Sequence, residues 1–69
     1  MIFRCEFRHR TTGERKSFVV ALPIDDLESL KSAGKFADLH AEAHALRHAY
    51  AEAPAGFMHA SPPELIRPS

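Results

Sequence analysis

"MIFRCEFRHRTTGERKSFVVAL", residues 1–22, decides the fold. In its first half Met1, Phe3, Cys5 and Phe7 alternate with Arg4, Glu6 and Arg8. Alternation with period two marks a strand with one face buried. "KSFVVAL", residues 16–22, repeats the pattern with Phe18, Val20 and Leu22 on one face. Between them "RTTGER" is a turn signal centred on Gly13. The stretch therefore predicts an antiparallel β-hairpin.

The two apolar faces must coincide, which restricts the register. The preferred pairing sets Phe7 beside Phe18, Cys5 beside Val20 and Phe3 beside Leu22, and leaves Thr12-Gly13, or Thr11 to Glu14, as the loop. The alternative makes Gly13-Glu14 a two-residue loop with glycine first, as a type II′ turn prefers. In either case Arg4, Glu6, Arg8 and Val19 share the outer face.

Beyond the hairpin, "LPIDDLESLKSAG" predicts a short helix over 25–33. Asp25 is placed to cap it, Glu28 three residues later completes a capping box, and Gly34 suits the C′ position. Residues 36–53 predict a longer amphipathic helix stopped by Pro54 and Gly56. At about 100° per residue, Phe36, Leu39, Ala43, Leu46 and Tyr50 fall in one arc of about 80°. Leu27 and Leu30, projected onto the same wheel, fall on another side. One straight helix could not bury both stripes, so the chain is expected to turn near Gly34. The expected core is Phe3, Cys5, Phe7, Phe18, Val20, Leu22, Leu39, Ala43, Leu46 and Tyr50.

The tail, residues 54–69, holds four of the five prolines and cannot be helical throughout. "GFMHAS" within it is a candidate third strand, and its final residues are expected to fray. The fold class is α+β in a single small domain of 69 residues. A chain of this size buries only about 60% of the surface its unfolded form exposes, so a dimer interface is an expected extra source of stability. Val19, Phe57, Met58, Leu65 and Ile66 are the partner-interface candidates.

Apolar residues make up 45% and charged residues 26%, which argues against wholesale disorder. The single cysteine excludes a disulfide within the chain and points to a reducing compartment. "MIFRCEFRHR" lacks the apolar segment of a signal peptide. The longest apolar run, "FVVAL", is far short of the roughly 20 residues of a membrane span. A cytoplasmic protein with no membrane partner is expected.

Net charge is zero but unevenly spread. Residues 1–16 carry a balance of +3 from Arg4, Arg8, Arg10, Arg15 and Lys16 against Glu6 and Glu14, and residues 17–69 carry −3. The basic set could meet phosphates, because β-ribbons do enter nucleic-acid grooves. Against this, no aromatic is interleaved on that face.

His40, His44 and His48 follow one another at helical i, i+4 spacing, at which two imidazoles can share a metal. His40 and His48 are about 12 Å apart in helix rise. A zinc–nitrogen bond is about 2.1 Å, so at most one adjacent pair can act. A closed site needs two more ligands, and the chain offers only Cys5, His9 and His59 as imidazole or thiol. "HAEAH" is not the metalloprotease pattern. The plainer expectation is a polar helix face beside Glu42, Arg47 and Glu52, with no cofactor. Charged together, the histidines would repel, so the helix is expected to weaken mildly in acid.

Cys5, between two phenylalanines, reads as a buried, inert thiol. "TTGER" lacks the lysine–serine pair of a phosphate loop. No catalytic motif is present, and no enzyme is expected. The reading is a small non-catalytic module for protein–protein contact or self-association. The alternatives are a nucleic-acid-binding hairpin using Arg4, Arg8, Arg10, Arg15 and Lys16, and a metal-binding helix.

Overall fold

The computed structural model describes residues 1–67; the frayed end expected for the tail falls on Pro68 and Ser69, outside the described residues. The hairpin forms as β1 (Ile2–His9) and β2 (Arg15–Ala21). A short helix α1 (Ile24–Leu30) follows, then one 3-10 turn (Gly34–Phe36), then helix α2 (Ala37–Glu52). The tail supplies β3 (Phe57–His59) and β4 (Glu64–Ile66). The molecule is thus α+β, with α2 laid across one face of an antiparallel sheet.

β1 is the central strand. β2 pairs along one side of it, while β3 and β4 share the other. The candidate strand in "GFMHAS" is β3. β4 was not anticipated. Phe7 lies opposite His59 and Arg4 opposite Glu64, so Cys5 and Glu6 face four tail residues, Ala60 to Pro63. The tail is one edge strand interrupted by a bulge. Pro62 and Pro63, which have no N–H to give a ladder, sit where no ladder runs. Ala60 N–H still donates to the Glu6 carbonyl at 2.8 Å.

The hairpin register differs from both expected ones. Phe3 faces Val20, Cys5 faces Phe18 and Phe7 faces Lys16. The strand faces are as expected, since this slip is an even number of residues. The physical reason is the loop, which spans Arg10 to Gly13. His9 N–H donates to Glu14 O at 2.7 Å, and Gly13 N–H to His9 O at 3.0 Å. Gly13 takes φ +76°, the left-handed conformation that closes such a loop. His9 Nδ1 accepts the amides of Thr11 and Thr12, each at 3.1 Å. A loop moved along the chain to Thr11–Glu14 would lose both contacts.

α1 starts at Pro23, whose carbonyl accepts the amides of Asp26 and Leu27. Asp25 therefore does not cap the helix, and no side chain does. Glu28 instead pairs with Lys31 at 3.2 Å on the surface, where such pairs contribute about 0–1 kcal/mol. The expected turn near Gly34 is present, with φ +58° there.

α2 buries a face that sequence patterning does not select. Ala41, Ala45 and Ala49 are 0% exposed, whereas Leu39 is 64% and Tyr50 40% exposed. Ala43 is exposed and Leu46 half-buried. Four expected core positions thus give way to three alanines. Their methyl groups let the helix lie close to β1, and the aromatic side chains of the sheet fill the seam. The core holds Phe3, Cys5, Phe7, Val20, Leu22 and Phe57 around the alanines, with Phe18, Leu27 and Leu65 packed against it. Each buried large side chain contributes about 1.5–3 kcal/mol, so the strands supply most of the hydrophobic stabilisation. Phe18 meets Phe7 edge-on at 5.3 Å. Tyr50, though exposed, stands 4.8 Å from Phe7, and its hydroxyl accepts the His59 amide at 3.0 Å, which ties β3 to α2. The displaced leucines instead line an open concavity of about 490 Å³ with Pro62 and Pro63.

Two substitutions check this packing. Ala45→Leu is expected to destabilise by about 1–3 kcal/mol through overpacking. Leu39→Ala is expected to stay within about 0.5 kcal/mol of wild type in urea denaturation. Gly56 offers a second check. Its φ is +89°, and an added Cβ would lie 2.5 Å from His9 Nε2. Gly56→Ala is expected to lower stability by about 1–3 kcal/mol.

Candidate functional site

Three regions carry chemistry. The first joins the helices. Asp26, in the first turn of α1, is the buried charged residue of the core region. His48 Nε2 lies 2.7 Å from its Oδ2. Arg47 donates to both carboxylate oxygens at 3.2 and 3.4 Å. His44 Nδ1 is 3.6 Å from Oδ1. The turn at Gly34 folds α1 back along α2, so the i, i+4 histidines meet a carboxylate from another element. The hydrogen bond from His48, then the charges of His44 and Arg47, hold the Asp26 carboxyl below its ordinary range against the opposing effect of burial.

Ser29 adds an order familiar from hydrolases: its Oγ is 3.1 Å from His44 Nε2, with Asp26 beyond. Ser29 O–H donates to the Asp26 carbonyl at 2.7 Å, a bond that attack through His44 would have to give up. His40 stays exposed and outside the group. Among the described residues, no three His, Cys, Asp or Glu side chains are placed to hold a metal ion. His44 and His48, two of the three histidines expected to repel when charged, share the Asp26 carboxylate.

The second region is the sheet face opposite α2. Ile2, Val19 and Met58 are 44%, 62% and 54% exposed on it. Arg4, Arg8 and Arg15 share this face with Glu6 and Glu64. Val19, expected on the outer face, and Met58, an interface candidate, thus lie exposed there. Phe57 does not: it faces α2 and is buried, because its partner His9 is in phase with the core residues of β1. Leu65 and Ile66 are half-buried. The free edge of β2 borders this face. The bonds His9 N–H to Glu14 O and Leu22 N–H to Met1 O fix the ladder's phase. The backbone groups of Arg15, Ser17, Val19 and Ala21 consequently point away from β1. Among the described residues no strand takes them.

The third region is the turn end of the hairpin. A concavity of about 450 Å³ opens there, walled by Arg8, Arg10, Thr11, Thr12, Met58 and His59. Arg8 lies directly opposite Arg15 in the ladder. Lys16 is separated from this group. It lies on the α2 side, 4.0 Å from Glu14 and 5.6 Å from the Phe57 ring centre. The five basic residues expected to act together are therefore split, and Arg4 is flanked by Glu6 along β1 and faces Glu64 across it.

Cys5 is buried, and burial followed by the charge of Glu6 pushes its thiol up from the ordinary value. A neutral thiol is a poor nucleophile. Among the described residues, no helix is long and apolar enough to cross a membrane. No protein-family model matches the chain, and neither the curated proteins nor the solved structures contain a match.

The Asp26 group makes a pH prediction. Its carboxyl is lowered from 3.8, so the stability it contributes is complete above that value and lost as pH falls through the lower folded value. Wild type is expected to lose more urea resistance than Asp26→Asn between neutral pH and strong acid. At neutral pH the variant is expected to be the less stable, as Arg47, His44 and His48 lose their shared anion.

Proposed function

We propose that the protein is a small non-catalytic interaction module that associates with a second copy of itself along β2. The free edge of β2 carries this reading. An unpaired edge is a template for another strand. Antiparallel pairing centred on Phe18 sets Arg15 against Ala21, and Ser17 against Val19, of the second copy. That register uses every outward backbone group from Arg15 to Ala21. It also keeps the basic ends apart, whereas parallel pairing would stack Arg15 on Arg15 and Lys16 on Lys16. A net charge of zero adds no long-range repulsion between copies. Exposed Val19 gains cover at the seam. A cytoplasmic setting suits the single buried thiol.

Sedimentation equilibrium tests this reading. Wild type is expected to be dimeric at micromolar concentration. Val19→Pro removes an outward N–H without breaking the β1–β2 ladder, and Val19→Lys charges the edge. Both are expected to sediment as folded monomers with unchanged far-UV circular dichroism. A wild type that stays monomeric at millimolar concentration would overturn it.

A further inference from the structure

We infer that the concavity at the turn end of the hairpin binds the phosphate group of a small phosphomonoester. Arg8 and Arg10 bring guanidinium donors to it, and a guanidinium has donors only. Among the described residues neither arginine is in an ion pair, and no acidic side chain lines the cavity. Arg8 also stands directly across from Arg15, and like charges so placed are destabilising. A bound dianion offsets that repulsion.

The loop that carries Arg10 and Thr12 is held in place before any ligand arrives. Arg10 N–H donates to Gly56 O at 2.9 Å, which pins the loop to the tail. His9 Nδ1 holds the Thr11 and Thr12 amides. Thr12 Oγ1 accepts the Glu14 amide at 3.2 Å, so its own proton remains to donate. A pre-formed loop loses little backbone freedom on binding. Arginine forks match phosphate oxygens in pairs. The volume falls within the roughly 300–1,000 Å³ of small-molecule sites, and Met58 gives an apolar wall for the organic part of the ester.

The charge pattern favours one phosphate over a chain of them. Along β1 the next outward residue after Arg8 is Glu6, and Arg4 beyond it faces Glu64. Lys16 lies on the other side of the sheet. A nucleic-acid backbone needs a continued track of cations, and here the track ends.

The test is amide NMR titration of the full chain with inorganic phosphate, a nucleoside 5′-monophosphate and a short single-stranded DNA. Sodium chloride at matched ionic strength is the reference. The amides of Arg8 to Gly13 and Met58 to Ala60 are expected to shift with both phosphate probes, and the monophosphate to bind more tightly than inorganic phosphate. Arg8→Gln and Arg10→Gln are each expected to weaken binding about tenfold or more, with the melting temperature held or, for Arg8→Gln, raised, and Arg4→Gln without effect. Shifts matched by chloride would overturn the proposal. Equal affinity for phosphate and monophosphate would overturn its ester part. Tightest binding to DNA, weakened as much by Arg4→Gln as by Arg8→Gln, would replace it with a nucleic-acid surface.

Discussion

The separation between α2 and the sheet is set by three methyl groups, those of Ala41, Ala45 and Ala49. Most larger side chains come from the strands, with Leu22 just past β2 and Leu27 and Leu30 of α1 beside them. Phe3, Phe7 and Phe57 can fill the core because the helix contributes almost no volume there. The same constraint explains what is pushed out. Leu39 and Leu46 belong to the flank of α2, where they border the bulged tail rather than the hairpin. With only one helical layer to spend, the chain covers one face of its sheet and leaves the other to Ile2, Val19 and Met58.

Charges divide the molecule into two kinds of place. Around Asp26 every partner is close: one carboxylate gathers two imidazoles and a guanidinium, and the helices are joined through it. At the turn end of the hairpin the reverse holds, with Arg8 beside Arg15 and Arg10 on the loop above them. Folding satisfies the first group internally. The second is left to solvent, with Arg8, Arg10 and Arg15 all exposed.

The strand faces were legible because a period of two is unambiguous once Phe3, Cys5 and Phe7 meet Phe18 and Val20. The register was not, because it depends on a histidine side chain closing a loop, an interaction that no alternation pattern contains. The helices and the turn at Gly34 were legible. The buried face of α2 was not, since alanine carries little hydrophobic weight beside leucine and tyrosine, yet small size is what close packing on a sheet selects. β4 was hidden by the two prolines before it, which read as the end of structure but mark a bulge. The Asp26 group was missed because each helix was read alone. The signal was available: once the chain reverses at Gly34, the aspartate in the first turn of α1 must fall beside the last turns of α2.

The bulge at Ala60 to Pro63 has a consequence for growth. A sheet with two equivalent free edges can add copies without limit, and its assembly is then an open fibre. Here one edge is interrupted by two residues that cannot join a ladder, and its strands are three residues each. Among the described residues, β2 is the uninterrupted edge of the sheet. Any strand pairing that begins there is used up by the first strand it takes. In the proposed self-association the prolines of the tail would act on the size of the assembly, from the opposite side of the molecule, by making sheet extension self-terminating.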